Sequence, residues 1–124
     1  MSNEQGKSKQ FGLLLRERRL AKGFTLRKFA EALGVSPTYI SGVENGTLPP
    51  PTFDRIEAIS KLLDVSVDEL MEHAGRWDDM AKQKLDERPD FVRLFRAVKD
   101  LSPDQIAKVT EVAKEMSGED GKPV

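Results

Sequence analysis

The segment from Thr25 to Gly46 constrains this chain most, because it predicts two short helices joined by a tight turn. In its first half, apolar residues recur at i, i+3, i+4 and i+7, which is the spacing of one helix face. Gly34 follows, where a residue of positive φ can end that helix, and Ser36 and Pro37 suit the cap and first turn of the next. A connection this short makes the two helices cross steeply.

The second helix of this segment combines an apolar underside with a small, polar outer face. Ile40 and Val43 point inward, and Asn45 followed by Gly46 provides a C-terminal stop. A helix of this kind, held by a second helix across a tight turn, is how helix-turn-helix proteins enter the major groove of DNA. The segment therefore predicts a protein that binds specific DNA sites and is not an enzyme.

The net charge of −1 conceals an uneven distribution of charge along the chain. Residues 1–61 hold ten basic and six acidic residues, a net charge of +4, whereas residues 62–124 hold ten and fifteen, a net charge of −5. Neutralisation of phosphates drives much of the affinity for DNA, and the basic half contains the two-helix segment. The alternative is an ordinary solvated charged face.

The rest of the chain shows helical spacing, with no β signal and no internal repeat. We therefore expect an all-α protein, with a five-helix domain over residues 10–75 and a C-terminal helical extension over residues 76–117. The polar residues 1–9 predict a disordered tail, and residues 118–124 predict a flexible one.

Cap residues predict where two later helices begin. Three consecutive prolines at residues 49–51 exclude a helix and predict an extended loop, after which Thr52 is the expected cap of the fourth helix. Ser66 and Glu69 have the spacing of a capping box, which predicts the start of the fifth.

Three segments at characteristic spacing resemble one known family. They are R-E-R-R-L-A-K-G-F-T-L from Arg16, G-V-S-P-T-Y-I-S-G-V-E-N-G from Gly34, and L-L-D-V-S-V-D-E-L from Leu62. Together they make residues 11–74, about half of the chain, similar to the phage-repressor-type, or Xre, helix-turn-helix domain. The resemblance implies a transcription regulator whose third helix, from Pro37 to Glu44, enters the major groove.

Base contacts follow from the resemblance, which places them at the start of the third helix and at Gly42. Pro37 and Gly42 offer no side-chain donor, so Thr38, Tyr39 and Ser41 are left as the expected readers of base edges. Such short polar groups discriminate modestly, and DNA shape is then expected to contribute. Tyr39 has the alternative of packing on the domain surface.

Phosphate contacts are also implied by the resemblance. The loop after the third helix lies along the DNA backbone in this family, and basic residues follow Leu26, where relatives often carry a glutamine. The residues that we expect to contact phosphates are Arg27, Lys28, Ser36, Asn45, Gly46 and Thr47.

The resemblance also places Arg19 opposite Glu44, where the equivalent residues form an ion pair between the first and third helices. A planar guanidinium against a carboxylate suits this geometry. Arg19 is then a structural residue, although it lies in a basic cluster.

Two apolar stripes in the C-terminal region must be buried against something. A second copy of the chain would cover them and would double a short DNA half-site, whereas the alternative is a hairpin that folds back on the first domain. The residues that we expect at a dimer interface are Phe91, Leu94, Phe95, Val98, Ile106, Val109, Val112 and Met116.

Catalytic and metal-binding chemistry has little support in the sequence. There is no cysteine, and His73 is the only histidine, so we expect no metal site, no cofactor and no disulfide. The acids near His73 predict a charged helix face more than a catalytic pair. No segment predicts a membrane span or a signal peptide, which favours a cytoplasmic protein.

The function predicted from these patterns is sequence-specific DNA binding by a transcription regulator, acting as a repressor that binds a palindromic operator as a homodimer. The expected partners are double-stranded DNA and a second copy of the chain, with no membrane, and the sequence does not identify an effector. The alternative is a protein-interaction module, or an antitoxin-type autoregulator whose helices serve mainly for protein contacts.

Overall fold

Helices account for the regular structure of this protein. The computed structural model describes the backbone of residues 3–118 and the side chains of residues 6–118, and it contains no strand within that stretch. The all-α fold, with a helix-turn-helix domain and a helical extension, is confirmed. The eight helices of these residues are α1 (Asn3–Ala21), α2 (Leu26–Leu33), α3 (Pro37–Asn45), α4 (Phe53–Leu63), α5 (Val67–Ala74), α6 (Trp77–Glu87), α7 (Pro89–Val98) and α8 (Pro103–Ser117).

Helix α1 begins earlier than the sequence predicts: the segment 3–9 is helical, whereas we expected a disordered tail. Its polar residues are held by tertiary contacts that a local pattern does not reveal. Ser8 is buried, and Lys9 lies against Gly46 at the end of α3. Residues 1–2 and 119–124 of the two expected tails lie outside the described residues.

The hydrophobic core lies among the first five helices, each of which contributes buried apolar side chains. Leu26 and Leu33, on the predicted inner face of α2, are only partly buried and pack against this core. The buried apolar residues are Phe11, Leu15, Phe29, Ala30, Ile40, Val43, Phe53, Ile56, Ile59, Leu63, Val65, Leu70, Met71 and Ala74.

The ends of α2 and α3, including the tight turn between them, are fixed by local caps. The Thr25 hydroxyl accepts from the Lys28 N–H at 3.1 Å, and the Ser36 hydroxyl accepts from the Tyr39 N–H at 3.0 Å. Gly34 ends α2 with a φ of 78°, a conformation that costs glycine little. The predicted helix-turn-helix geometry is therefore built by local capping.

The start of α4 is capped from a distance. Thr52 occupies the N-cap position, but its side chain makes no capping hydrogen bond. Instead Asp79, on α6, accepts a hydrogen bond from the Phe53 N–H at 2.7 Å. A carboxylate at a helix N-terminus also interacts favourably with the helix dipole.

The predicted capping box of α5 forms only in part. Ser66 accepts from the Glu69 N–H at 3.1 Å. The Glu69 carboxylate, however, pairs with Arg18 on α1 instead of reaching back to the cap. A charged partner from another helix has replaced the local contact, and it joins α1 to α5.

The chain divides into two compact units, the first reaching Gln83 and the second starting at Lys84. This boundary lies later than the one we expect after residue 75. The reason is that Arg76 and Asp79 bond to the first unit and Met80 packs on its core.

The second unit contains α7 and α8, and neither helix has a buried residue. Helix α8 starts with the predicted capping box, in which the Ser102 hydroxyl accepts from the Gln105 N–H at 3.2 Å and the Gln105 side chain accepts from the Ser102 N–H at 2.9 Å.

Candidate nucleic-acid interface

A close crossing of two backbones positions α3. A Cβ atom added at Gly12, in the middle of α1, would lie 2.4 Å from the carbonyl oxygens of both Val43 and Glu44. No side chain fits into such a gap. Glycine has no Cβ atom and therefore allows the two backbones to cross this closely. Gly12 therefore sets how deeply α3 sits against α1.

A buried ion pair joins the same two helices. The Arg19 Nε donates to Glu44 Oε2 at 2.6 Å, and Nη2 donates to Oε1 at 2.9 Å. Nη1 donates to the Phe24 carbonyl oxygen at 2.9 Å, so that one guanidinium holds α3 and the α1–α2 turn together. The hydrogen bond to Glu44 raises the pKa of Arg19 above its ordinary value, against the opposing effect of burial. The pair is structural, because it is enclosed by the protein.

The outer face of α3 carries small polar groups. Pro37, Thr38 and Asn45 are exposed, and Ser41 and Gly42 are half-exposed. Asn45 Nδ2 donates to Ser41 Oγ at 3.4 Å, a long hydrogen bond that leaves both groups able to take further partners. The structure thus brings four of the five expected base-contact positions to one accessible helix face.

Tyr39, the fifth expected position, is placed differently. Its side chain is half-buried against the core, and the guanidinium carbon of Arg55 lies 5.1 Å from the centre of its ring. This is the geometry of a cation–π contact. The Tyr39 ring therefore packs partly against the core and contacts a cation on α4. Arg55 was not indicated by sequence, since nothing local relates the two residues.

The loop after α3 folds back tightly onto the helix. The Gly42 carbonyl oxygen accepts from the Thr47 N–H at 3.0 Å, from the Leu48 N–H at 3.1 Å and from the Thr47 hydroxyl at 3.1 Å. Arg76 holds the next part of the loop, because its Nη2 donates to the Pro50 carbonyl oxygen at 2.5 Å. A loop of prolines offers free carbonyl groups and few N–H donors, which suits an arginine partner.

The expected phosphate contacts differ in their accessibility. Arg27 and Lys28 are exposed in the first turn of α2, and Ser36 and Asn45 are exposed at the two ends of α3. Gly46 is instead buried against Lys9, and its N–H donates to the Val43 carbonyl at 3.1 Å. That amide is therefore not available to a phosphate.

The Thr47 side chain is exposed, although its hydroxyl proton is used by the Gly42 carbonyl. Its oxygen can still accept a hydrogen bond, but a phosphate needs a donor.

Apolar side chains are exposed on the second unit, at the positions expected for a dimer interface. Phe95 is 54% exposed and Met116 is 75% exposed, which is unusual for large apolar residues at helical spacing. Leu94, Ile106, Val109 and Val112 are also exposed, and Phe91 and Val98 are half-buried.

Other kinds of site have no support in the described residues. No group of three or more metal-binding side chains occurs among them, and His73 stands half-buried at the end of α5. No helix of residues 3–118 is both long and apolar enough to cross a membrane.

The fold and the exposed face of α3 define a helix-turn-helix protein. A family model described as Helix-turn-helix matches residues 15–70, which contain most of the core and the α2–α3 pair. The chain belongs to the Xre-type helix-turn-helix family, a family of transcription regulators and not of enzymes.

Individual relatives support the same assignment. The chain is 34% identical over 69 residues to the HTH-type transcriptional regulator SinR of Bacillus subtilis, covering 54% of this chain and 62% of that protein. It is 35% identical over 60 residues to SinR of Bacillus licheniformis, covering 48% and 54%. The chain thus spans less than two thirds of the length of these curated relatives.

A solved structure is also similar to more than half of this chain. The restriction-modification controller protein C.AhdI from Aeromonas hydrophila is 30% identical, with a TM-score of 0.50, over 56% of this chain and 99% of that one.

Proposed function

We propose that this protein is a sequence-specific DNA-binding transcription regulator that inserts α3 into the major groove. The observation that carries the proposal is the exposed polar face of α3, on a helix whose opposite side is fixed by Gly12 and by the Arg19–Glu44 pair. A recognition helix must be rigidly held to present base-reading groups in one geometry. The matched relatives are named as transcription regulators, which agrees with this role.

Base contacts are assigned to the outer face of α3. Thr38 and Ser41 can donate to or accept from several base edges, and the Thr38 methyl group can touch a thymine methyl. Pro37 contributes shape, because it carries no hydrogen-bonding side chain at the start of the helix. Gly42 makes room for the loop that folds back on the helix. Tyr39 contributes indirectly, by holding Arg55 beside α3.

Phosphate contacts are assigned to the cations and polar groups that flank this face. Arg27 and Lys28 are exposed on the helix that precedes α3, and Arg55 adds a positive charge on the helix that follows. Ser36 and Asn45 supply polar groups at the ends of α3. These contacts carry no sequence information, but they fix the orientation of the domain on the duplex.

We further propose that the protein acts as a repressor and binds a palindromic operator as a homodimer. One reading helix with few long polar side chains covers a short half-site, and a two-fold dimer doubles it. The exposed apolar faces of α7 and α8 supply a surface for a second copy of the chain. Repression follows if the operator overlaps a promoter.

A second candidate function is favoured by those same apolar faces. A different protein would bury them as well as a second copy would, and the chain would then be a protein-interaction module or an antitoxin-type autoregulator. The oligomeric state of the purified chain separates the two. A monomer in solution favours the second candidate.

Selection of bound sequences from a random pool of duplex DNA tests the main proposal. We expect enrichment of a palindrome, and an affinity for it that falls steeply as salt concentration rises, because cations on the protein release counterions from DNA. Absence of any binding at low salt would contradict the proposal. Enrichment of a single, non-palindromic half-site would retain DNA binding and reject the dimer.

A further inference from the structure

The side chain of Leu48 fills the space on α3 that a side chain at position 42 would occupy. A Cβ atom added at Gly42 would lie 2.6 Å from Leu48 Cδ1 and 2.9 Å from Leu48 Cγ. Leu48 therefore covers the Cα of Gly42 in direct contact, and position 42 has no room for a side chain of its own. The leucine comes from the loop after α3 and not from the helix itself.

The covered position lies in the middle of the outer face. Thr38, Gly42 and Asn45 follow at i, i+4 and i+7, so they form one stripe along α3, opposite the buried Ile40 and Val43. A side chain that rests on Gly42 therefore lies on the face that points away from the core. Leu48 is 37% exposed there, an apolar group between two polar neighbours.

The position of Leu48 is held firmly. Its N–H donates to the Gly42 carbonyl oxygen at 3.1 Å, and the preceding Thr47 donates to the same oxygen through its N–H and its hydroxyl. Prolines follow immediately, and Arg76 bonds to the carbonyl oxygens of Pro50 and Pro51. Restricted backbone on both sides means that little entropy is lost when this side chain meets a partner.

We propose that Leu48 is a specificity-determining residue that contacts the 5-methyl group of a thymine in the major groove, in place of a side chain at position 42. The inference rests on the proposed function, since it requires α3 to enter that groove. The thymine methyl is the one apolar group that base pairs present in the major groove, and apolar side chains distinguish it from cytosine. A leucine presented among Thr38 and Asn45 has the chemistry for that contact.

The test removes the thymine 5-methyl group from the DNA and the Leu48 side chain from the protein, first separately and then together. A duplex selected by the wild-type protein from a random pool is resynthesised with deoxyuridine at each thymine in turn, which deletes only the 5-methyl group. At one position per half-site we expect binding by the wild type to weaken about fourfold, because one methyl-sized apolar group contributes about 0.8 kcal/mol and 1.4 kcal/mol is tenfold. Leu48→Ala should bind the thymine and deoxyuridine duplexes equally at that position.

The matched control is Leu13→Ala, which truncates an exposed leucine on α1. This variant should keep the full sensitivity to deoxyuridine. The proposal is overturned if no deoxyuridine position weakens wild-type binding, or if the same loss persists undiminished in Leu48→Ala. Failure of the wild type to enrich any sequence would instead reject the proposed function itself.

A second measurement does not depend on the folding of a variant. In the complex of the wild-type chain with the selected duplex, nuclear Overhauser contacts should join the Leu48 methyl groups to one thymine 5-methyl group. Their absence from a complex that shows other contacts between α3 and DNA would refute the assignment.

Discussion

Arg19 and Glu44 form a bidentate ion pair that is almost completely enclosed, with 8% and 6% of their side chains exposed. The pair lies at the inner side of α3, directly behind the face proposed to contact bases. Because both charges are removed from water, each depends on the other for compensation. The orientation of α3 is therefore tied to α1 by an interaction that fails if either partner is lost.

Loss of one partner of this pair should be costly. We expect Arg19→Ala to lower the free energy of unfolding by about 3–5 kcal/mol, because Glu44 would remain buried without a counter-charge. Urea unfolding followed by circular dichroism measures the change. Arg16→Ala, which removes an exposed arginine from the same helix, should change stability by less than about 0.5 kcal/mol.

Replacing both partners gives a further check. The double variant Arg19→Met, Glu44→Leu should recover much of the lost stability, since no unpaired charge remains. A double variant no more stable than Arg19→Ala would show that the cost arises from packing and not from the unpaired charge.

The crossing at Gly12 should tolerate no side chain. We expect Gly12→Ala to destabilise the protein by about 1–3 kcal/mol, because the added Cβ must push α1 away from the Val43 and Glu44 carbonyls. Gly6→Ala is the matched control, since it lies in the same helix with nothing within 4 Å of the added Cβ. That change should stabilise α1 by about 0.5–1 kcal/mol. Equal shifts in the thermal midpoint of both variants would contradict the close crossing.

The two classes of DNA contact should separate by mutation. We expect Thr38→Ala to reduce the preference for the selected duplex over random DNA about fivefold, which corresponds to about 1 kcal/mol of lost base discrimination. Lys28→Ala should weaken binding to both DNAs alike and lower the slope of log affinity against log salt by about 0.9. Fluorescence anisotropy titrations at several salt concentrations measure both quantities. Identical effects of the two changes on specific and random DNA would reject the assignment.

The distant cap of α4 should matter more than the local one. We expect Asp79→Ala to cost about 1 kcal/mol, because the Phe53 N–H loses its partner. Thr52→Ala should cost less, since the Thr52 side chain makes no capping bond in the structure. Chemical denaturation of the two variants compares them directly, and a greater loss from Thr52→Ala would show that the threonine is the true cap.

The apolar faces of α7 and α8 should control assembly. We expect Phe95→Asp to convert a dimer into a monomer, because a carboxylate cannot be buried in an apolar interface without a partner. Light scattering reports the mass in solution. Arg93→Asp places the same carboxylate on the exposed polar side of α7 and should leave the mass unchanged. A wild-type chain that is already monomeric would reject the dimer proposal.

Local chemistry explains why so much of the helix-turn-helix was predictable. The ends of α2 and α3 are fixed by residues within four positions of each other, such as Thr25 with Lys28 and Ser36 with Tyr39. Caps and periodicity are therefore visible in the sequence. The inward positions of Ile40 and Val43 follow for the same reason, since apolar spacing on one face is also a local property.

Local patterns did not reveal contacts between distant residues, and only the family resemblance indicated the Arg19–Glu44 pair. Asp79 and Phe53 are 26 positions apart, as are Arg76 and Pro50, and no local pattern links either pair. In the sequence, a glycine inside a helix such as Gly12 indicates only a weaker helix. Its role at the close crossing is visible only when the position of the neighbouring backbone is known. Leu48 was missed likewise, because its place on the outer face depends on how the loop folds back.

The crossing at Gly12 and the Arg19–Glu44 pair give α3 two sides that differ in chemistry. The inner side is defined by Ile40, Val43 and Glu44, and it interlocks with α1. The outer side is exposed or half-exposed, and the loop after α3 folds back onto it at Gly42. Substitutions at Thr38, Ser41 and Asn45 should therefore change the proposed base contacts and leave the fold intact. A side chain at position 42 would also require a smaller residue in place of Leu48.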